Sequence, residues 1–402
     1  MSKITRIIII FAITLALFAL ATELLHYYFG PELLGFQVIE FKTNLKIIQK
    51  TGLIKFVLDL VRSEVDYPLS PFLTFYGILS IIFLLSLISL RFFIKDTSTK
   101  KIFSTYLVMS TLLFFLRLSQ ALPSSHVPVN VFNGTAETPY LYRVLVPFLS
   151  YLLKTIIPSL TWRNSAGIWN YIFALSLFPL FHIYLRKWFD QKIAFLINII
   201  FCCLLPLSFD YDYPEDFLEL SLFIIGYMLI RDKKDIFLGP LIFFATFSRE
   251  TAVFLAIAYF ISRINKKDLL KTITKSSAFF ICWLIPFAGI RLIRGPTLRP
   301  DFFMGVRNLE YIIFDFFSVN SNFFSSLFFL GVFFSIYLMF DKKDEDNFLK
   351  RNTITITVAF LAAFWFANIN EPRIFYPILP ILVPLAFYPL LAGHDTKTGI
   401  LQ

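Results

Sequence analysis

Apolar runs long enough to cross a lipid bilayer recur from one end of this chain to the other. A helix needs roughly 20 apolar residues to span the hydrocarbon core. Within lipid, every backbone polar group must be satisfied inside the protein, so the spanning structures are helices or closed barrels. Runs this long, without strict alternation, select helices. Composition agrees: of 402 residues 57% are hydrophobic and only 16% charged, 52 are Phe, and the mean hydropathy is +0.72. No soluble core of this size needs so much apolar surface. The expected fold is an all-α polytopic membrane protein with a single transmembrane domain over residues 1–402. The opening "MSKITRIIIIFAITLALFALA" reads as a retained signal-anchor and first span rather than a cleaved leader. Cys202, Cys203 and Cys282 lie in apolar segments and read as buried small hydrophobes, not as a disulfide framework or a metal site.

Lys and Arg mark the cytoplasmic ends of short loops. On that rule and on length, full spans are expected at about 6–26, 71–92, 102–122, 166–186, 192–208, 217–231, 273–293, 321–340, 352–368 and 374–392. "RFFIKDTSTKK", "LRKWFDQK", "RDKKD" and "DKKDEDNFLKR" then fall inside, with both termini cytoplasmic.

One segment breaks the alternation. "IFLGPLIFFATFSRETAVFLAIAYFIS", Ile236 to Ser262, is apolar except for Arg249 and Glu250 at its centre, and both its flanks are strongly basic. A single span cannot have two cytoplasmic ends. The simplest solution is a re-entrant hairpin of two half-helices, about Ile236–Phe247 and Thr251–Ser262, with the charged pair at the turn facing the outer side. The alternative is one tilted helix with a snorkelling Arg.

The external side then gathers an unusual set of segments. The loop at 23–70 contains "LKIIQKTGLIKFVLDLVR", which has the spacing of an interfacial amphipathic helix. The segment 138–160, within "ETPYLYRVLVPFLSYLLKTIIPSL", is too interrupted by Arg143, Pro147, Lys154 and Pro158 to be a clean span and reads as an interfacial helix. "FDYDYPEDFLEL", the Arg249–Glu250 turn, "RLIRGPTLRPDFFMGVRNLEY" and "NINEPRIFYP" complete the set. These carry carboxylates, arginines and tyrosines together. Carboxylates serve as general bases toward hydroxyls. Arginines clamp phosphate and stabilise charge as a bond breaks. Aromatic rings stack on sugars. The catalytic candidates are Asp212, Glu215, Asp216 and Glu23. The substrate-binding candidates are Arg143, Arg249, Glu250, Glu371 and Arg373. Each has a plainer reading: a solvated acidic turn, a snorkelling Arg, a neutralised loop pair. It is their convergence on one side that argues for chemistry.

No phosphate-binding Gly-rich loop and no Rossmann fingerprint occurs, so an activated donor has to arrive in another form. No metal-ligand spacing stands out; a divalent metal is left open. The net charge of +10 follows from cytoplasmic loops and anionic headgroups and does not imply nucleic acid.

The layout resembles the GT-C type of membrane glycosyltransferases, which use polyprenyl-phosphate sugars. Three features carry the resemblance: a long first external loop with an amphipathic helix, a re-entrant pair of half-helices with a basic residue at the turn ("SRETA"), and an external Arg before a proline-bearing late span ("EPRIFYPILP"). With "PYLYRVLVPFLSYLL" it is also similar to bacterial multispan proteins of the same pattern. The resemblance implies a large helical fold in a bacterial inner or plasma membrane. It implies inverting sugar transfer from a lipid-phosphate donor to a glycan, lipid or protein acceptor at the outer face. The family's early acidic pair is not in the first loop, which begins "ELLHYYFGPELL"; the acidic pair here is Glu215–Asp216. The rival functions are a transporter or flippase of a lipid-linked or anionic solute, a surface-glycan polymerase, and a scaffold without activity.

Overall fold

The computed structural model describes residues 99–120, 128–136, 140–208, 215–295, 304–305, 308, 322–338, 346–367, 369 and 371–391. All regular structure among them is helical. The helices are α1 (Thr99–Gln120), α2 (Pro128–Asn133), α3 (Leu145–Ile156), α4 (Trp162–Leu185), α5 (Gln191–Leu204), α6 (Asp216–Arg231), α7 (Asp235–Ser248), α8 (Val253–Arg263), α9 (Leu269–Arg294), α10 (Asn322–Leu338), α11 (Asn347–Phe366) and α12 (Leu379–Leu391). Every span expected from 102–122 onward has a helix at its place. The expected spans at 6–26 and 71–92 and the amphipathic helix in 23–70 lie outside the described residues.

Two boundaries differ from expectation, for local reasons. The segment at 192–208 is α5 only to Leu204 and then tightens into a 3₁₀ turn, Leu205–Ser208. The segment at 374–392 begins as a 3₁₀ turn, Pro372–Ile378, and becomes α-helical at Leu379. Prolines explain the second: each lacks an N–H, so Pro377, Pro380, Pro384 and Pro389 each remove a backbone donor. Tyr227 uses an acceptor there, donating from its hydroxyl to the Pro377 carbonyl at 2.9 Å.

Helix caps and basic side chains gather at one end of the bundle. Asp190 accepts from Ile193 N to start α5, and Asp346 accepts from Phe348 N and Leu349 N to start α11. Lys187 pairs with Asp232 at 2.7 Å, and Arg231 lies over the Trp188 ring and donates to the Lys187 carbonyl. Arg351 donates to the carbonyls of Ser262 and Ile264. The loops α4–α5, α6–α7 and α8–α9 and the start of α11 therefore meet at this end.

The segment that broke the alternation is a helical hairpin. Asp235, first residue of α7, accepts from the hydroxyl of Tyr259 in α8 at 2.9 Å and pairs with Lys275 of α9. Arg263, last residue of α8, donates back to the Ile230 carbonyl of α6. The chain thus leaves the basic end along α7 and returns along α8. The half-helices are Asp235–Ser248 and Val253–Arg263, joined by a 3₁₀ turn at Glu250–Ala252. The expected segment 138–160 is a 3₁₀ turn, Tyr140–Tyr142, followed by α3.

Helix α6 runs through the middle, against α4, α7, α8 and α12. Phe223, Ile224 and Tyr227 on it are buried. On α4 the buried Asn198 of α5 donates to the Phe178 carbonyl beside Pro179. Tyr106 of α1 meets His182 Nδ1 at 2.7 Å, so His182 serves helix packing. Cys202 and Cys203 are buried, Cys282 is half-buried, and all three are free. At Gly226 helices α6 and α8 come so close that a Cβ would stand 2.5 Å from Leu255 Cδ2. Small residues permit this approach where helices pack by dispersion. Gly226→Val should cost about 1–3 kcal/mol through overpacking. Adding Leu255→Ala to that variant should restore part of the loss, as read by thermal unfolding of the purified protein.

Candidate functional site

The end opposite the basic loops holds the charged residues that sequence singled out. Helix lengths decide which of them meet. The climb from Asp232 to Glu219 along α6 is about 20 Å, and from Asp235 to Arg249 along α7 about 21 Å. The hairpin tip therefore arrives level with the first turns of α6. There the backbone of Arg249 is extended, with φ −158° and ψ 140°, which ends α7 and turns the side chain toward α6. Its Nη1 hydrogen-bonds Glu219 Oε2 and lies 3.9 Å from Asp216 Oδ1. Thr251, one residue past the turn's Glu250, donates its hydroxyl to Glu219 Oε1 at 2.6 Å. Arg249, Asp216 and Glu219 are all buried, at 4%, 2% and 2% exposure.

Two further segments close on this centre. Arg143, just after the Tyr140–Tyr142 turn, donates from Nη1 to Glu215 Oε1 at 2.9 Å, and its guanidinium lies 4.8 Å from the Tyr140 ring centre. Arg373 lies in the Pro372–Ile378 turn and is fully buried. It donates to Glu371 Oε2 from Nε (3.1 Å) and Nη2 (2.6 Å), and Nη2 reaches the Tyr140 hydroxyl at 3.3 Å. Tyr140 thus touches two arginines, one with its ring and one with its oxygen. Electrostatics tie the parts together: Arg249 is within reach of the charges of Glu219, Arg373, Asp216 and Glu215, and Glu250 within reach of those of Arg143, Arg249 and Arg291.

A cavity of ≈ 10 Å³ lies beside the hairpin tip, lined by Glu219, Ser248, Arg249, Thr251 and apolar neighbours. That is room for about one water. The buried Ser248 hydroxyl has no hydrogen-bond partner among the described residues, and a water in this space would satisfy it.

The cluster brings together Arg143, Glu215, Asp216, Arg249, Glu250, Glu371 and Arg373. Glu23 and Asp212 lie outside the described residues. At the Arg249–Glu250 turn, Arg249 is sunk among α6, α7 and α8, and the carboxylate that grips it is Glu219. Glu219 lies in the acidic stretch "FDYDYPEDFLEL" but was not among the site candidates. Its spacing was the available signal, since Asp216 and Glu219 stand three residues apart and share a helix face. Thr251 and Trp283 were missed; Trp283 donates its indole N–H to the Glu250 carbonyl at 2.8 Å and so supports the turn. Of the other arginines expected on the external side, Arg291 packs against the Phe287 and Tyr142 rings and Arg294 donates to the Phe132 carbonyl. Arg299 and Arg307 lie outside the described residues.

A buried charge that loses its partner is costly, about 3–5 kcal/mol, whereas replacing both partners by apolar groups is close to neutral. Arg249→Met should therefore lower thermal stability strongly. Glu219→Leu should do the same. The double variant should recover most of the loss.

Comparison of the chain with protein-family models, with curated proteins and with solved structures gives no match.

Proposed function

We propose that the chain is a multispan membrane protein that transfers a sugar from a polyprenyl-phosphate donor to an acceptor on the external side. The observation that carries this reading is the convergence of three buried arginines from distant segments: Arg143 and Arg249 meet the carboxylates at the start of α6, and Arg373, paired with Glu371, joins them through Tyr140. In this reading the basic end lies at the cytoplasmic surface. Helices α4 and α9 are, among the described residues, the two long and apolar enough to cross a membrane. On α9, Leu270, Ile281, Ile285, Leu292 and Ile293 are more than half exposed. Water would disfavour such a face, whereas lipid would cover it. The shorter apolar helices α3, α5 and α7 belong to the same layer in this reading.

Helix α7 rises about 21 Å, short of the roughly 30 Å hydrocarbon core. The hairpin is then re-entrant, and its tip lies within the membrane thickness. Ionisable groups at such depth are expensive and are kept for function or for an ion path. A donor whose lipid tail lies in the bilayer brings its phosphate to this level without leaving the membrane.

The chemistry follows from the groups at hand. The acceptor hydroxyl oxygen attacks the anomeric carbon of the sugar. The bond from that carbon to the phosphate oxygen breaks, and its electrons leave with the phosphate. The arginines stabilise that charge. A carboxylate takes the acceptor proton. Asp216 is the candidate for this role: it is buried at the start of α6, 3.9 Å from Arg249, beside the guanidiniums that would hold the phosphate. Asp216 also stands at a helix N-terminus, which favours negative charge.

Two measurements test this. Cysteines placed at Lys234 and Asn265 in proteoliposomes should be labelled from the same side; labelling from opposite sides removes the re-entrant hairpin. With a labelled polyprenyl-phosphate sugar, Asp216→Asn should lower transfer by about 10²-fold or more while donor binding persists. A purified chain that neither binds such lipids nor transfers sugar overturns the proposal. Lipid translocation without transfer would favour a flippase.

A further inference from the structure

Three guanidiniums each face a carboxylate at the site, and the three pairs are not built alike. Glu215 and Glu219 sit at the start of α6, are 6% and 2% exposed, and Glu219 is gripped by Thr251 as well as Arg249. Glu371 stands outside any regular helix, just before the Pro372–Ile378 turn. Its side chain is 26% exposed, while that of its partner Arg373 is fully buried. Its geometry also differs. Nε and Nη2 of Arg373 both donate to a single oxygen, Glu371 Oε2. That edge of a guanidinium is a two-donor fork suited to two acceptor oxygens. The pair is only two residues apart in the chain, so the backbone rather than the fork limits how Glu371 can approach.

A buried guanidinium needs an anion, but the anion need not be permanent. We infer that Glu371 is an exchangeable counter-ion: the phosphate of a lipid phosphodiester takes its place on the Nε–Nη2 edge of Arg373. Two phosphate oxygens then meet two donors, and Glu371 swings out through its exposed side. Glu215 and Glu219 stay in position. A phosphodiester carries one negative charge, as Glu371 does, so the exchange leaves the charge beside Arg373 unchanged. A phosphomonoester would bring up to two. The inference rests on the lipid-phosphate reading of the site and adds which edge receives the phosphate and what it displaces.

Binding of farnesyl methyl phosphate, a lipid phosphodiester without a sugar, to the full-length chain in nanodiscs tests the exchange. Inorganic phosphate serves as the lipid-free probe. Glu371→Gln should bind the lipid about tenfold more tightly than wild type, because no resident carboxylate has to leave. Arg373→Ala should not bind it. Glu371→Asp, which keeps the charge but shortens the reach, guards against misfolding of the neutral variant. It should also bind more tightly than wild type and show a larger ligand-induced rise in unfolding temperature. If wild type binds and both Glu371 variants bind equally or more weakly, the counter-ion role is wrong and the lipid-phosphate reading stands. If no variant and not wild type binds, both fall. Inorganic phosphate binding as tightly as the lipid would reassign the fork to free phosphate and overturn the lipid part.

Discussion

The site depends on a single ion pair. Arg249 and Glu219 join the tip of a helical hairpin to the central helix at a depth where neither charge could stand alone. Without Glu219, the extended residue that ends α7 would leave a guanidinium among apolar side chains. Without Arg249, the first turns of α6 would bury a carboxylate with only a threonine hydroxyl to meet it. The pair fixes the height of the hairpin against α6. It thereby fixes the places of Glu215 and Asp216, one turn higher, and of the arginines that meet them.

The rest of the cluster is built outward by sharing. Tyr140 lies under the guanidinium of Arg143 and accepts from Arg373, so one side chain spaces two cations that would otherwise repel. Trp283 holds the hairpin turn from the side through the Glu250 carbonyl. Tyr227 holds the Pro372–Ile378 turn from below through the Pro377 carbonyl, an acceptor in a stretch where prolines supply no donors. Polar contacts to backbone thus place the charged side chains, and the charged side chains neutralise one another.

Much of this arrangement was legible in the chain. Long apolar runs placed the helices, and paired basic flanks placed the hairpin and its turn near Arg249. Charge type alone selected Arg143, Glu215, Asp216, Arg249, Glu250, Glu371 and Arg373, which do come together. The pairing was not legible. Glu250 is adjacent to Arg249 in the chain, but the carboxylate that Arg249 meets is Glu219, brought level with it by the lengths of two helices. The signals for Glu219 were its three-residue spacing from Asp216 and the matching lengths of those helices. The role of Thr251 had no sequence signal beyond its place in "RET". The 3₁₀ start of the last segment is marked by its prolines, which hydropathy does not distinguish from other apolar residues.

The tie between Tyr227 and Pro377 has a mechanical consequence. It couples the turn bearing Arg373 to the same helix that bears Glu215, Asp216 and Glu219, and the hairpin tip is locked to that helix by Arg249. Three of the four walls of the cluster therefore move as one body. The fourth, the Tyr140–Arg143 segment, reaches that body through the Arg143–Glu215 ion pair, one long hydrogen bond from Arg373 to Tyr140, and the packing of Leu141 and Tyr142 beside Phe247. Any widening of the site that spares its covalent and backbone ties runs along this seam. Arg143 is then the hinge-side jaw, and α6 the anvil against which it closes.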